Sequence, residues 1–127
     1  GAMRVALRSI PCLYCVTDST AAAGMPDGEY KLGSHTVTKC LGGVRLADGT
    51  LAGSTLTMDQ ALRNLVKIGL SISEASQRLS QFAADYLGLE ERGRLQPGSF
   101  ADCVRLDRSL HLTDVMVEGE TIVFKNA

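Results

Sequence analysis

Residues Cys15–Gly24 read CVTDSTAAAG, and the run leading into them, Ile10 to Val16, reads IPCLYCV. An apolar run with β-branched and aromatic members, bounded by turn signals, predicts a buried strand over Ser9–Val16, of the kind found inside a parallel sheet. The run delivers a carboxylate, Asp18, where the chain must turn. On the residues alone Asp18 has two readings. Asp-Ser-Thr is good capping chemistry for a turn or helix start, and a carboxylate at a strand end can also exchange protons with a reacting group. Ala21 to Gly24 reads as close packing or a turn.

Outward from that stretch, 127 residues suffice for one domain with a real core. The chain is 45% hydrophobic and 21% charged, as in ordinary globular proteins. A net charge of −1, with Lys and Arg spread along the chain, gives no basic stripe for nucleic acid and no polybasic membrane patch. No apolar run approaches the roughly 20 residues of a membrane helix. Gly1-Ala2-Met3 reads as an expression tag with no signal peptide after it, so residues 4–127 are expected to form one compact cytoplasmic unit. Cys12, Cys15, Cys40 and Cys103 are too scattered for a disulfide scaffold. Cys12 and Cys15 lie three apart in a strand-like run, where side chains diverge; they read as buried structural thiols, with metal or redox use as the other option.

Downstream, Glu29–Leu32 and Thr36–Cys40 flank Gly33-Ser34, and Val44–Leu46 follows Gly42-Gly43, which predicts short strands. Thr57 and Gln60 fit a capping box that opens a helix with Met58, Ala61, Leu62, Leu65 and Val66 on its apolar face, ended by Gly69. Ser71 and Glu74 fit a second, opening one helix through Ile72, Ala75, Leu79, Phe82, Ala83 and Tyr86 to Gly88. Pro97-Gly98 turns the chain into a strand over Ala101–Leu106, and Val115–Val117 with Thr121–Phe124 form a hairpin. The fold class is α+β.

Five pieces occur here in one order: VTDSTAAAG (16–24), PDGEYKLG (26–33), LADGTLAGSTLTMDQALRNLV (46–66), GLSISEA (69–75) and GRLQPGSFADCVRLD (93–107). Together they resemble the C-terminal third of the N-acetylglucosamine-6-phosphate deacetylases, members of the amidohydrolase superfamily. The resemblance implies that about 9–92 come from the end of a (β/α)₈ barrel with inserted short strands, and about 93–127 from a small β-sandwich. It implies that Asp18 is the counterpart of an acid/base aspartate at the end of the last barrel strand, serving a water bound to a divalent metal such as zinc. It also implies that Leu51, Ala52 and Gly53 form the loop whose backbone contacts the sugar phosphate. Read alone, those small residues equally make a plain loop into a helix. The family's metal ligands, a glutamate and two histidines, lie on earlier barrel strands. His35 and His111 stand in no ligand-like spacing and read as surface residues. After the apolar helix face the family has Asn-Pro, where this chain reads SQFAADYLGL (80–89).

By itself the chain is therefore expected to be inactive in the deacetylation, as one carboxylate does not generate hydroxide or stabilise an oxyanion. The rival reading is a non-catalytic, oligomeric binding or assembly module; completion in trans by a separate N-terminal barrel chain is a third. A strand and two helix faces built for a barrel leave apolar surface to cover, most simply by self-association. The expected outcome by light scattering is a homodimer or higher oligomer. A monodisperse monomer without a dye-binding apolar patch would sink that inference.

Overall fold

The computed structural model describes residues 1–123 and shows a mixed α+β chain with two small antiparallel sheets. The backbone divides into two compact units, Val16–Ala61, and Gly1–Cys15 together with the chain from Leu62 onward.

In the second of these, helix α1 covers Ala2–Ser9, so Ala2 and Met3 lie in its first turn. The strand expected over Ser9–Val16 does not form. Ser9 ends α1, and residues 10–18 belong to no ladder. A strand exists only through partners on its edges, and here the backbone finds others: Ile10 N–H bonds to Ala6 C=O at 2.9 Å and Cys15 N–H to Arg78 C=O at 2.8 Å. Leu13 and Cys15 still pack on the core, while Val16 is 70% exposed. The thiols expected to be buried are not: Cys12 is exposed and Cys15 half-buried. Burial pushes the Cys15 thiol up, and the nearby Arg78 charge opposes that shift.

Within Val16–Ala61 the first sheet runs in order through β1 (Gly28–Leu32), β2 (His35–Cys40), β3 (Gly43–Leu46) and β4 (Leu51–Ser54). The alternation in β1 and β2 places Tyr30, Leu32 and Val37 on one face. Ala22, Val37 and Val44 form its buried core, with Tyr30, Leu32, Leu46 and Ala52 packed around them. Ala22 comes from the AAAG turn, so both packing and turning are realised there. The loop reading of Leu51–Gly53 is corrected: these residues are strand β4. The tight turn at Asp48-Gly49 folds the chain back onto β3, with Asp48 Oδ1 accepting Thr50 N–H at 2.9 Å and Arg45 donating to Gly49 C=O at 2.9 Å. The Thr50 bonds hold the Asp48 carboxyl below its ordinary range.

Helix α2 covers Met58–Lys67 and crosses from one unit's residues to the other's. Gly69 ends it, with Gly69 N–H on Val66 C=O and Leu70 N–H on Leu65 C=O. The single helix expected from Ser71 to Gly88 is two, α3 (Ile72–Leu79) and α4 (Gln81–Tyr86). Ser80 breaks it at φ −141°, ψ −69°, and its hydroxyl bonds back to Ser76 C=O at 2.7 Å, a local competitor of the helix ladder. The break suits its surroundings. A Cβ on Gly93 would stand 2.8 Å from Ala84 Cβ and 3.0 Å from the Ser80 carbonyl, so only glycine lets that turn approach. Leu7, Leu62, Leu65 and Ala75 form the core here.

The second sheet orders β5 (Cys103–Leu106), β6 (Leu112–Val117) and β7 (Glu120–Ile122). Strand β5 starts two residues later than the sequence suggests and β6 three earlier. Phe124, expected in the last strand, lies outside the described residues. Arg92 ties the approach to β5 onto the β6–β7 turn: it pairs with Asp102 and, at 2.9 Å, with Glu118, while Asp102 accepts Glu118 N–H at 2.8 Å.

The second capping box is complete. Ser71 Oγ accepts Glu74 N–H at 3.2 Å, and Glu74 Oε2 accepts Ser71 N–H at 3.1 Å. Those bonds hold the Glu74 carboxyl below its ordinary value of 4.5. A depressed carboxyl stabilises above its unfolded value, and the contribution disappears as pH falls through the folded one. In urea titrations from about pH 7 to about pH 3, the parent is expected to be more stable than Glu74→Gln at neutral pH. Comparing the pair cancels the other carboxyls, so the gap should close in acid. A gap independent of pH would show that the charge does not cap α3.

Candidate functional site

The site implied for Asp18 and Leu51–Gly53 lies wholly within Val16–Ala61. Strand β4 is the edge of its sheet, and an edge presents unpaired N–H and C=O groups. Residues 17–20 take that edge. Ser19 forms a parallel bridge with Ser54; Ser54 N–H donates to Asp18 C=O at 2.8 Å and Thr20 N–H to Ser54 C=O at 3.0 Å. The structure thus brings together the two pieces that the sequence singles out separately, Asp18 and the Leu51–Gly53 stretch.

The fit is close. Val44 pairs with Gly53 and Arg45 with Leu51, so Ala52 is an extra residue and β4 bulges there. Gly53 sits at φ +142°, and a Cβ on it would stand 2.7 Å from Thr20 Cγ2 and 3.1 Å from the Asp18 carbonyl oxygen. Asp18 itself adopts φ +52°, a left-handed conformation that aspartate tolerates better than most residues.

Hydroxyls perform the turn chemistry around it. Thr17 Oγ1 accepts Ser19 N–H at 3.3 Å, Thr20 Oγ1 accepts Ala22 N–H at 3.4 Å, and Ser19 Oγ donates to Leu56 C=O. Ser54 Oγ donates to Thr17 C=O at 2.5 Å and accepts Leu56 N–H at 3.0 Å. The capping reading of Asp18 fails on this geometry. Its carboxylate, on an exposed residue, has no hydrogen bond or ion pair among the described residues, and the caps come from Thr17 and Thr20. What remains is a free carboxylate on a backbone tied to Ser54 through the Thr17 and Asp18 carbonyls, beside the side-chain-free Gly53. A carboxylate so placed can take and return a proton.

The residues that sequence reasoning missed are Thr20 and Ser54. The signal available for them was two hydroxyl-rich clusters, Thr17-Asp18-Ser19-Thr20 and Ser54-Thr55, 34 residues apart at Thr20 and Ser54. His35 opens β2 and is exposed; exposed His111 stands 3.7 Å from Asp107. Among the described residues no three His, Cys, Asp or Glu side chains gather to hold a metal ion. No described helix is long and apolar enough to cross a membrane.

No family model matches the chain. Among curated proteins it is 42% identical over 114 residues to a putative N-acetylgalactosamine-6-phosphate deacetylase of Escherichia coli K12, covering 88% of this chain and 68% of that protein. It is 39% identical over 129 residues to the N-acetylglucosamine-6-phosphate deacetylase of Lysinibacillus sphaericus, covering 99% of this chain and 33% of that one. Among solved structures, the Thermotoga maritima N-acetylglucosamine-6-phosphate deacetylase superposes with a TM-score of 0.80 at 44% identity, over 86% of this chain and 30% of that one. An aspartate-to-alanine mutant of the Mycobacterium smegmatis enzyme, in complex with N-acetyl-D-glucosamine-6-phosphate, superposes at 0.88 with 36% identity, over 97% and 34%. Apart from the Escherichia coli K12 protein, the chain spans about a third of these relatives, the C-terminal part.

Replacing Gly53 by Ala is expected to destabilise the chain by about 2–4 kcal/mol in urea titration, from backbone strain plus overpacking. Adding Thr20→Ser removes the nearest atom, Cγ2, and should recover about 1 kcal/mol. A Gly53→Ala chain within about 0.5 kcal/mol of the parent would contradict the close approach.

Proposed function

Because the chain belongs to the N-acetylglucosamine-6-phosphate deacetylase family, we propose that it supplies the acid/base carboxylate and a substrate-facing strand to the hydrolysis of the N-acetyl group of an amino-sugar phosphate. In the whole enzyme the products are the free amine, glucosamine 6-phosphate, and acetate. Asp18 is the acid/base. Its carboxylate takes a proton from the attacking water as the oxygen adds to the acyl carbon. It then hands the proton to the nitrogen as the C–N bond breaks. The observation that carries this reading is the unpartnered Asp18 carboxylate on a backbone pinned to Ser54 on one side and closed against Gly53 on the other. A carboxylate held for structure spends its oxygens on N–H donors, as Asp48 and Asp107 do.

The Leu51–Gly53 segment is read as the substrate-facing main chain. The family resemblance supports this reading, while the space a Gly53 side chain would take is filled by Thr20 Cγ2 and the Asp18 carbonyl. Main-chain contacts of this kind do not depend on the side chains of the segment. Relatives named for the glucosamine and the galactosamine substrates match the chain at 39% and 42% identity. The two sugars differ in the configuration of one ring hydroxyl, so the choice between them is assigned to side chains elsewhere in the enzyme.

The described residues do not fit a divalent metal site, since no ligand cluster forms among them. The reading therefore assigns the metal's ligands to other parts of the enzyme and routes no step through them here. It takes about 9–92 as the end of a barrel with inserted short strands, and β5–β7, within about 93–127, as strands of a small sandwich. Val16, Leu41 and Leu51 are 70%, 94% and 63% exposed, which favours a further apolar surface over them, either the rest of the enzyme or a second copy of this chain. Were the second copy the functional partner, the chain would be an oligomeric module without catalysis.

The deciding experiment is Asp18→Asn in the full-length enzyme. The expected result is a kcat lower by about 10²–10⁴ with KM nearly unchanged, the usual share of general acid/base catalysis. The 127-residue chain alone, with zinc and the sugar phosphate, should release no acetate. A full-length Asp18→Asn enzyme within about threefold of the parent kcat would overturn the assignment.

A further inference from the structure

We propose that Ser54 is a positioning residue for Asp18, its hydroxyl holding the peptide before Asp18 so that the carboxylate is presented in one orientation. The inference rests on the acid/base reading of Asp18.

Ser54 commits every polar group it has to the backbone around the site. Its N–H donates to Asp18 C=O at 2.8 Å, and its C=O accepts Thr20 N–H at 3.0 Å and Thr20 Oγ1–H at 3.4 Å. Its hydroxyl donates to Thr17 C=O at 2.5 Å and accepts Leu56 N–H at 3.0 Å. The carbonyls of Thr17 and Asp18 belong to the two peptide planes that meet at the Asp18 Cα. Fixing both planes fixes the direction of the Asp18 Cα–Cβ bond, and hence the arc its carboxylate sweeps.

Such fixing is needed because φ +52° is not a resting conformation for an L-residue. Conformations of this kind persist only where the surroundings over-determine them. Ser54's main-chain bonds survive substitution by any residue but proline, while the hydroxyl bond to Thr17 is lost with the hydroxyl. Without it the 17–18 peptide loses its anchor, Leu56 N–H loses its acceptor, and Asp18 is free to relax toward negative φ. Proton transfer requires the carboxylate within hydrogen-bond reach of the reacting atoms, and a misplacement of about 1 Å costs on the order of a hundredfold. Ser54 touches no reacting atom in this scheme and acts only through Asp18.

The test is a kinetic cycle in the full-length enzyme. Ser54→Ala is expected to lower kcat by about 10–100-fold with KM within about twofold, and Ser54→Thr, which keeps the hydroxyl, to remain within about threefold of the parent. On an Asp18→Asn background, Ser54→Ala should cause no further loss, since residues acting as a unit are not additive. Melting midpoints measured alongside separate positioning from unfolding. If Ser54→Ala folds poorly, Ser54→Cys keeps the volume with weaker hydrogen bonds and should show the same kcat-only loss. A loss confined to KM, an equal loss on the Asp18→Asn background, or a well-folded Ser54→Ala or Ser54→Cys enzyme at parental kcat would overturn the role of Ser54. A fully active Asp18→Asn enzyme would instead overturn the acid/base reading beneath it.

Discussion

Two backbone hydrogen bonds at the outer edge of β4 hold the site together: Ser54 N–H on Asp18 C=O, and Thr20 N–H on Ser54 C=O. Residues 10–18 have no ladder, so these bonds are what orders the chain on leaving that stretch. They bring the segment so near β4 that Gly53 has no space for a Cβ, and they sit beside the bulge at Ala52. From Thr20 the chain turns at once and delivers Ala22 into the core against Val37 and Val44. Core packing and edge pairing therefore constrain the same few residues from both ends, which is how an aspartate comes to be held in the left-handed region.

Features set by local chemistry were legible in the sequence. The Ser71–Glu74 capping box, the stops at Gly69 and Gly88, and the hairpins across Gly33-Ser34 and Glu118-Gly119 all depend on residues a few positions apart. Features set by distant partners were not. Leu51–Ser54 becomes a strand because β3 lies beside it, which small residues do not advertise. The apolar run Ile10–Val16 has strand composition but no partner strand among the described residues, so its pattern is not realised there. Helix α1 was unreadable for a related reason: Met3, Val5 and Leu7 alternate as in a strand, and no side chain caps its start. The break at Ser80 packs against Gly93, 13 positions on, a contact that no helical periodicity reveals. Of the site, the two halves were visible as sequence pieces, while their contact through Ser54 and Thr20 was not.

The remaining charges sharpen the meaning of a free Asp18. From Leu62 onward, the aspartates and two of the glutamates, Glu74 and Glu118, are engaged, while Glu90, Glu91 and Glu120 have no side-chain partner among the described residues. Asp102 and Glu118 share Arg92, Asp85 pairs with Arg94, and Asp114 with Arg105. Asp107 gathers the N–H groups of Ser109 and His111, which holds its carboxyl below the ordinary range. Each fixes a turn or a strand neighbour, as exposed carboxylates do when they serve the fold. Asp18 has the same opportunity, with Ser19 and Ala22 N–H groups close in sequence, yet Thr17 and Thr20 take both. Removing the Asp18 carboxylate would therefore leave every backbone bond of its turn intact. A charge that the fold does not use, on a backbone tied so closely to β4, is the separation of roles that the proposed acid/base function requires: a rigid support and an uncommitted proton acceptor.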